Sequence, residues 1–259
     1  AAITEDVLAI NPRHPGALHY SIHSYDDPTH APLGLRAARV YAEVAPSAIH
    51  ALHMGSHIYY ALGMWDLGLE RNNRSFEEAV ARQASPQDEY GNQAYHALTW
   101  VIYGLNQVDK PEEAAAKVAL IEDQVSRYGS SMHRQNFISA RAAYLVDSGD
   151  WDNALASVSV DYDGLAPFFV ATDQYVKGVL ALGKDDEAGA RAALVEIGGA
   201  EPVTVRNRRA MVPRLLHLEL EGQIELAAGN TEKAIALMTQ AAELEATAPP
   251  EYGPAQPVQ

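Results

Sequence analysis

Apolar residues recur at helical spacing, three and four positions apart, along almost the whole chain, and no stretch alternates with period two. The pattern predicts helices throughout and no sheet. One kind of turn interrupts them. It is clearest at Gly63-Met64-Trp65-Asp66 and Gly149-Asp150-Trp151-Asp152. Looser versions begin at Asp109, Gly183 and Gly229, each followed by acidic residues and then by Ala114, Ala188 or Ala234. Glycine suits the left-handed residue that ends a helix, and acidic side chains suit the positive start of the next. The small alanine lets paired helices approach closely. Trp65 and Trp151, at two of these turns, are expected to pack between helices.

Helix-turn-helix units in series resemble the tetratricopeptide repeat (TPR), a unit of about 34 residues. Leu52, Gly55, Ser56 and Tyr59 precede Gly63 at that repeat's marker spacing. Leu98, Val101, Ile102 and Leu105 do so before Asp109, with Ala114, Val118 and Ile121 after it. Thr172, Tyr175, Val176 and Val179 precede Gly183, with Ala188 and Ala192 after it. The resemblance implies an all-α, TPR-like α-solenoid of about six helix hairpins in a right-handed superhelix. Residues 1–248 would form that single domain, and Pro-rich 249–259 an extended tail or linker. Terminal repeats carry a polar capping face. The first and last segments here lack one, so the chain reads as a piece of a longer one whose missing N- and C-terminal segments pack on its ends.

Composition narrows the function classes. Of 259 residues, 34 are acidic and 19 basic, a formal charge of -15. A field of that sign repels nucleic acid and anionic membrane and attracts cations. The basic cluster at 205–214 is too short to argue otherwise. No apolar run reaches about 18 residues, so no membrane insertion is expected. The absence of cysteine excludes disulfides, thiolate zinc sites and a cysteine nucleophile. No phosphate-binding loop, nucleophile motif or paired glutamates occur.

Candidate chemistry lies in the histidines, seven of the ten falling in residues 14–57. His19 and His23 are four apart, as are His53 and His57, so each pair shares a helix face. His50 is three before His53, and Asp26 three beyond His23. In the TPR frame, groove-facing positions fall on His19, His23, Asp26 and Asp27 in one repeat and on His50, His53, His57 and Tyr60 in the next. His96 and Tyr103 follow in the third. Helix axes packed about 8–10 Å apart bring such imidazoles together. Later groove positions, Asn136, Ser139, Asp173 and Lys177, are polar without repeating. His14 and His30 are expected in solvated loops, with His30 able to swing in as an extra ligand. His133 is expected near a helix start as a cap or solvated group, and His217 as structural.

Three uses fit this clustering. The first is a divalent transition metal, zinc or copper, with nickel or iron as further candidates, bound by His19, His23, His53 and His57. Asp26 would be a fifth ligand or would fix an imidazole tautomer. Asp27, His50, Tyr60, His96 and Tyr103 would surround the ion or touch what it binds. The second is a polar groove for a peptide or protein partner without metal. The third is structural: histidines satisfied by neighbours and holding two helices in register. A metal with an open position would also support a metal-dependent hydrolase or oxygenase-like enzyme, with Asp27 or His50 as base.

The segments HPGALHYSIHSYDDPTHAP, RVYAEVAPSAIHALHMGSHIYYALGMWD and QAYHALTWVIYGL resemble a family of bacterial TPR proteins. The resemblance covers residues 4 to 125 well and continues more loosely to the end. It places His19, His23, Asp26, His50, His53 and His57 at matching positions, and Gly55 where the family pattern has proline. It implies further chain at both ends and an extracytoplasmic (periplasmic or secreted) location. It implies no activity.

Overall fold

A computed structural model describes residues 1–85, 88–198 and 208–248. Among these residues the protein is all-α, with twelve α-helices, one short 3-10 turn and no strand. The tail expected over 249–259 lies outside them. No helix among them is long and apolar enough to cross a membrane. The described residues form two compact units, 1–124 and 125–248.

The first unit holds α1 (Ala2–Ile10), α2 (Pro15–Ser24), α3 (Ala31–Val44), α4 (Ile49–Ala61), α5 (Trp65–Ala81), α6 (Asn92–Gln107) and most of α7 (Pro111–Tyr128). Pro15 opens α2 at a position where no backbone donor is needed. His14 caps that helix, its Nδ1 accepting from the Ala17 amide at 3.1 Å. His14 is exposed, as expected, and also serves as the helix cap. Gly63, at φ +68°, closes α4. The apolar faces of α1 to α4 meet in a core of Leu8, Leu18, Ile22, Ala37, Ala38, Met54, Ile58 and Tyr59. Alanine on α3 lets α4 come very close. A β-carbon added at Gly55 would stand 2.9 Å from the Ala38 carbonyl oxygen. Helix α4 therefore runs unbroken through Gly55 and presses its backbone on α3. It packs along α3 and α5 and also touches α2 and α6.

The second unit holds α8 (Ser131–Ser148), the 3-10 turn Ala154–Ser157, α9 (Pro167–Leu182), α10 (Glu187–Ile197), α11 (Arg208–Ala227) and α12 (Thr231–Glu245). Its larger core gathers Ala171, Ala190, Val212, Leu216, Leu220 and Ile224. Four of the five expected turns join two α-helices, at Gly63, Asp109, Asp185 and Gly229. At the fourth the left-handed residue is Asp185, at φ 57°, rather than Gly183. The turn after Gly149 leads only into the 3-10 segment. There Arg141, buried in α8, donates from Nη1 to the Val158 carbonyl and to the Leu155 carbonyl, which also accepts from the Val158 amide. Its Nη2 pairs with Asp173, which also meets Lys177 Nζ at 3.2 Å. Two of the later groove positions are therefore engaged around an internal ion pair. His133, expected as a cap or solvated, is fully buried on α8, edge-on to Tyr128. His217 sits half-buried, its Nε2 3.8 Å from Glu221.

Candidate metal centre

The contacts of α4 with α2 and α6 place histidines from three helices side by side. His19 and His23 stand one turn apart on α2. His50, His53 and His57 follow one another along α4, and His96 lies on α6.

The six form two groups of three. In the deeper group, His53 Nε2 lies 2.9 Å from His57 Nε2 and 2.9 Å from His96 Nε2. His53 and His57 are 2% and 6% exposed, while His96 stands at the exposed edge. In the shallower group, His19 Nε2 lies 3.1 Å from His23 Nε2 and 3.0 Å from His50 Nε2. The four imidazoles expected around a single ion are therefore divided. Each i,i+4 pair takes its third member from the next helix in the α2, α4, α6 row. His50 and His96, expected around the ion, are those third members. The groups adjoin, with the His23 and His57 rings 6.1 Å apart.

The far sides of the deep rings are pinned. His53 Nδ1 is 2.7 Å from Asn72 Oδ1. The Asn72 amide nitrogen donates to the Gly68 carbonyl at 2.9 Å, which turns its oxygen towards His53. His53 Nδ1 is thus the donor, and Nε2 carries the ring's lone pair. His57 Nδ1 donates to Asp26 Oδ2 at 2.7 Å. Asp26 is buried, and its Oδ1 has no hydrogen-bond partner among the described residues.

Burial, and after it the neighbouring imidazoles, hold five of these rings in the neutral form. His19 and His96 are each lowered to about 4. His53 is pushed well below the usual histidine range, and His23 and His50 are lowered. Neutral rings with Nε2 aimed inward are the form that binds a metal ion. The deep group can hold one.

Two side chains at the centre carried no sequence signal. Asn72 is one of two polar residues, with Ser75, on the buried face of α5. Trp100 covers the deep group, with ring centroids 4.8 Å from His53, 4.5 Å from His57 and 6.0 Å from His96. Tyr60 stacks on Trp100 and donates to its carbonyl oxygen at 3.0 Å. Tyr103 packs edge-on against Tyr60. These two tyrosines, expected in the groove, back the Trp100 wall. Asp27, also expected there, is half-exposed in the turn before α3. Its Oδ1 accepts from the Thr29 and His30 amides, and its carboxylate holds the His30 ring at 2.8 Å. That turn geometry directs both Asp27 and His30 away from the cluster.

Comparison with protein-family models, with curated proteins and with solved structures gave no match.

Proposed function

We propose that the protein binds a divalent transition metal ion, zinc or copper, through His53, His57 and His96. One observation carries the reading: His53 Nε2, its lone pair fixed by Asn72, is met by two other imidazole nitrogens at 2.9 Å. An imidazole nitrogen offers one in-plane lone pair. A proton shared with His57 would serve one of the two contacts and leave the other unmatched. A cation between the rings serves all three nitrogens. Metal–imidazole bonds of about 2.0–2.1 Å place ligand nitrogens about 3 Å apart on one ion.

The donors favour a borderline ion. Three imidazoles without thiolate suit zinc or copper, not the oxygen-seeking magnesium or calcium. Asn72 and Asp26 behind the rings act as the partners that orient ligating histidines. With His96 at the exposed edge, the ion keeps a side towards solvent, where water or a small ligand would complete its coordination. The frame we assign is the TPR-like solenoid, in which α2, α4 and α6 are first helices of successive hairpins. Their mutual contacts are what that arrangement requires.

Elemental analysis of untagged protein, followed by titration with zinc and copper after chelation, tests the proposal. A tightly bound ion, lost in His53→Ala and retained in His217→Ala, is the expected result. Protein that takes up neither ion, and gains no thermal stability from them, overturns it.

A further inference from the structure

The arrangement around His53 is built a second time. A central imidazole, its i+4 neighbour on the same helix and one imidazole from the next helix of the row meet through their Nε2 atoms. The members are His53, His57 and His96 in one case, and His19, His23 and His50 in the other. The central contacts are 2.9 and 2.9 Å in the first and 3.1 and 3.0 Å in the second. In the second, His19 Nε2 is the single nitrogen that meets two others, so the mismatch of lone pairs recurs. Tyr41 stacks on the His19 ring at 5.8 Å and helps fix its plane.

A separate observation comes from Asp26. The carboxylate is buried, bonded to His57 of the deep group and near enough to His23 of the shallow one to act on it. Its Oδ2 holds His57, its Oδ1 has no hydrogen-bond partner among the described residues, and its charge favours a cation at His23. Burying a carboxylate with an unsatisfied oxygen is costly unless positive charge lies close by. One ion in the deep group places that charge on one side only.

We infer that the protein holds two metal ions side by side, the second bound by His19, His23 and His50, with Asp26 between them as shared counter-charge. The class of ligand is again a borderline divalent ion taken by imidazole nitrogen. The two sites differ in access. His19 and His23 are half-buried and His50 is exposed, whereas His53 and His57 are enclosed. The outer ion therefore exchanges faster and binds more weakly, since solvent competes for it and the first ion repels it. This second site rests on the same reading of facing nitrogens as the first, and the variants below separate the two.

The experiment uses the full chain, stripped with chelator, titrated with Cu²⁺ or Zn²⁺ and freed of excess ion by gel filtration. Two ions per chain are expected. His50→Ala, at an exposed ring that leaves the fold intact, should lower this to one and remove the weaker binding step. His53→Ala should remove the tighter step and retain the outer ion. Loaded with Cu²⁺, the native protein should show dipolar broadening of its paramagnetic resonance spectrum, absent from either variant. A single ion per chain, unaffected by His50→Ala, overturns the second site and leaves the deep one standing. A single ion lost in both variants also overturns it, because all six rings would then serve one centre. Loss in His50→Ala with none in His53→Ala would keep the outer site and overturn the deep one.

Discussion

Asp26 and His57 are joined by a 2.7 Å contact between a carboxylate oxygen and a ring Nδ1 that lie 31 residues apart in the chain. The bond ties the turn after α2 to the second half of α4 and decides which nitrogen of His57 faces its neighbours. Asp26→Asn keeps the size and removes the charge. Metal affinity should fall by about 10–100-fold, the usual effect of losing such a partner. Competition with a chromophoric chelator measures it, and unchanged affinity would mean that Asp26 does not act through the ring.

Asn72 does for His53 what Asp26 does for His57. Asn72→Leu removes the acceptor of a buried ring N–H. The metal-free protein should lose about 1–3 kcal/mol by denaturant unfolding, and metal binding should weaken as well. Asn72→Asp restores an acceptor and should recover affinity ahead of Leu. Equal affinities for the two variants would contradict the orienting role.

Trp100 is one of three tryptophans, and its ring lies against all three deep histidines. Cu²⁺ bound there should quench tryptophan emission strongly, and Trp100→Phe should abolish most of that quenching. Trp100→Ala should cost about 3–5 kcal/mol of stability through the cavity left behind. Undiminished quenching in Trp100→Phe would place the copper elsewhere.

A metal-independent pH effect is expected in the second unit. Burial, with Glu245 adding to it, raises the Glu219 carboxyl from 4.5 to about 7. In the unfolded chain that carboxyl ionises near its ordinary value. As pH climbs from there towards about 7, the unfolded state gives up a proton that the folded state keeps. The stability linked to this group is thus present in acid and lost as pH rises through 7. Glu219→Gln should raise the melting temperature relative to the native protein at pH 8 and leave it nearly unchanged at pH 4.5. An equal effect at both values would mean that Glu219 does not titrate there.

The helices and the positions of the turns were legible in the sequence because both follow from local pattern: apolar spacing, a left-handed residue, acidic residues after it. Local pattern also paired His19 with His23 and His53 with His57. It did not show which third ring each pair takes, because that depends on how α4 sits between α2 and α6. Asn72 and Trp100 escaped notice for the same reason, since a single amide or indole on a helix face has no period. The weak helix after Gly149 was masked by a strong turn signal. Arg141, whose guanidinium holds the Leu155 and Val158 carbonyls there, lies in the preceding helix. His133 shows the limit for single residues: nothing in its neighbours distinguishes a solvated ring from a buried one.

Helix α4 supplies members to both groups, His50 to one and His53 and His57 to the other. His50 and His53 differ by three residues, a rise of about 4.5 Å along one helix. Part of the offset between the centres is therefore set by the pitch of a single rigid rod, itself seated against α3 through Gly55. A sliding or rocking of α2 or α6 would open one group at a time. A rotation of α4 about its own axis would turn histidines out of both groups together, so that ions held there would leave as one.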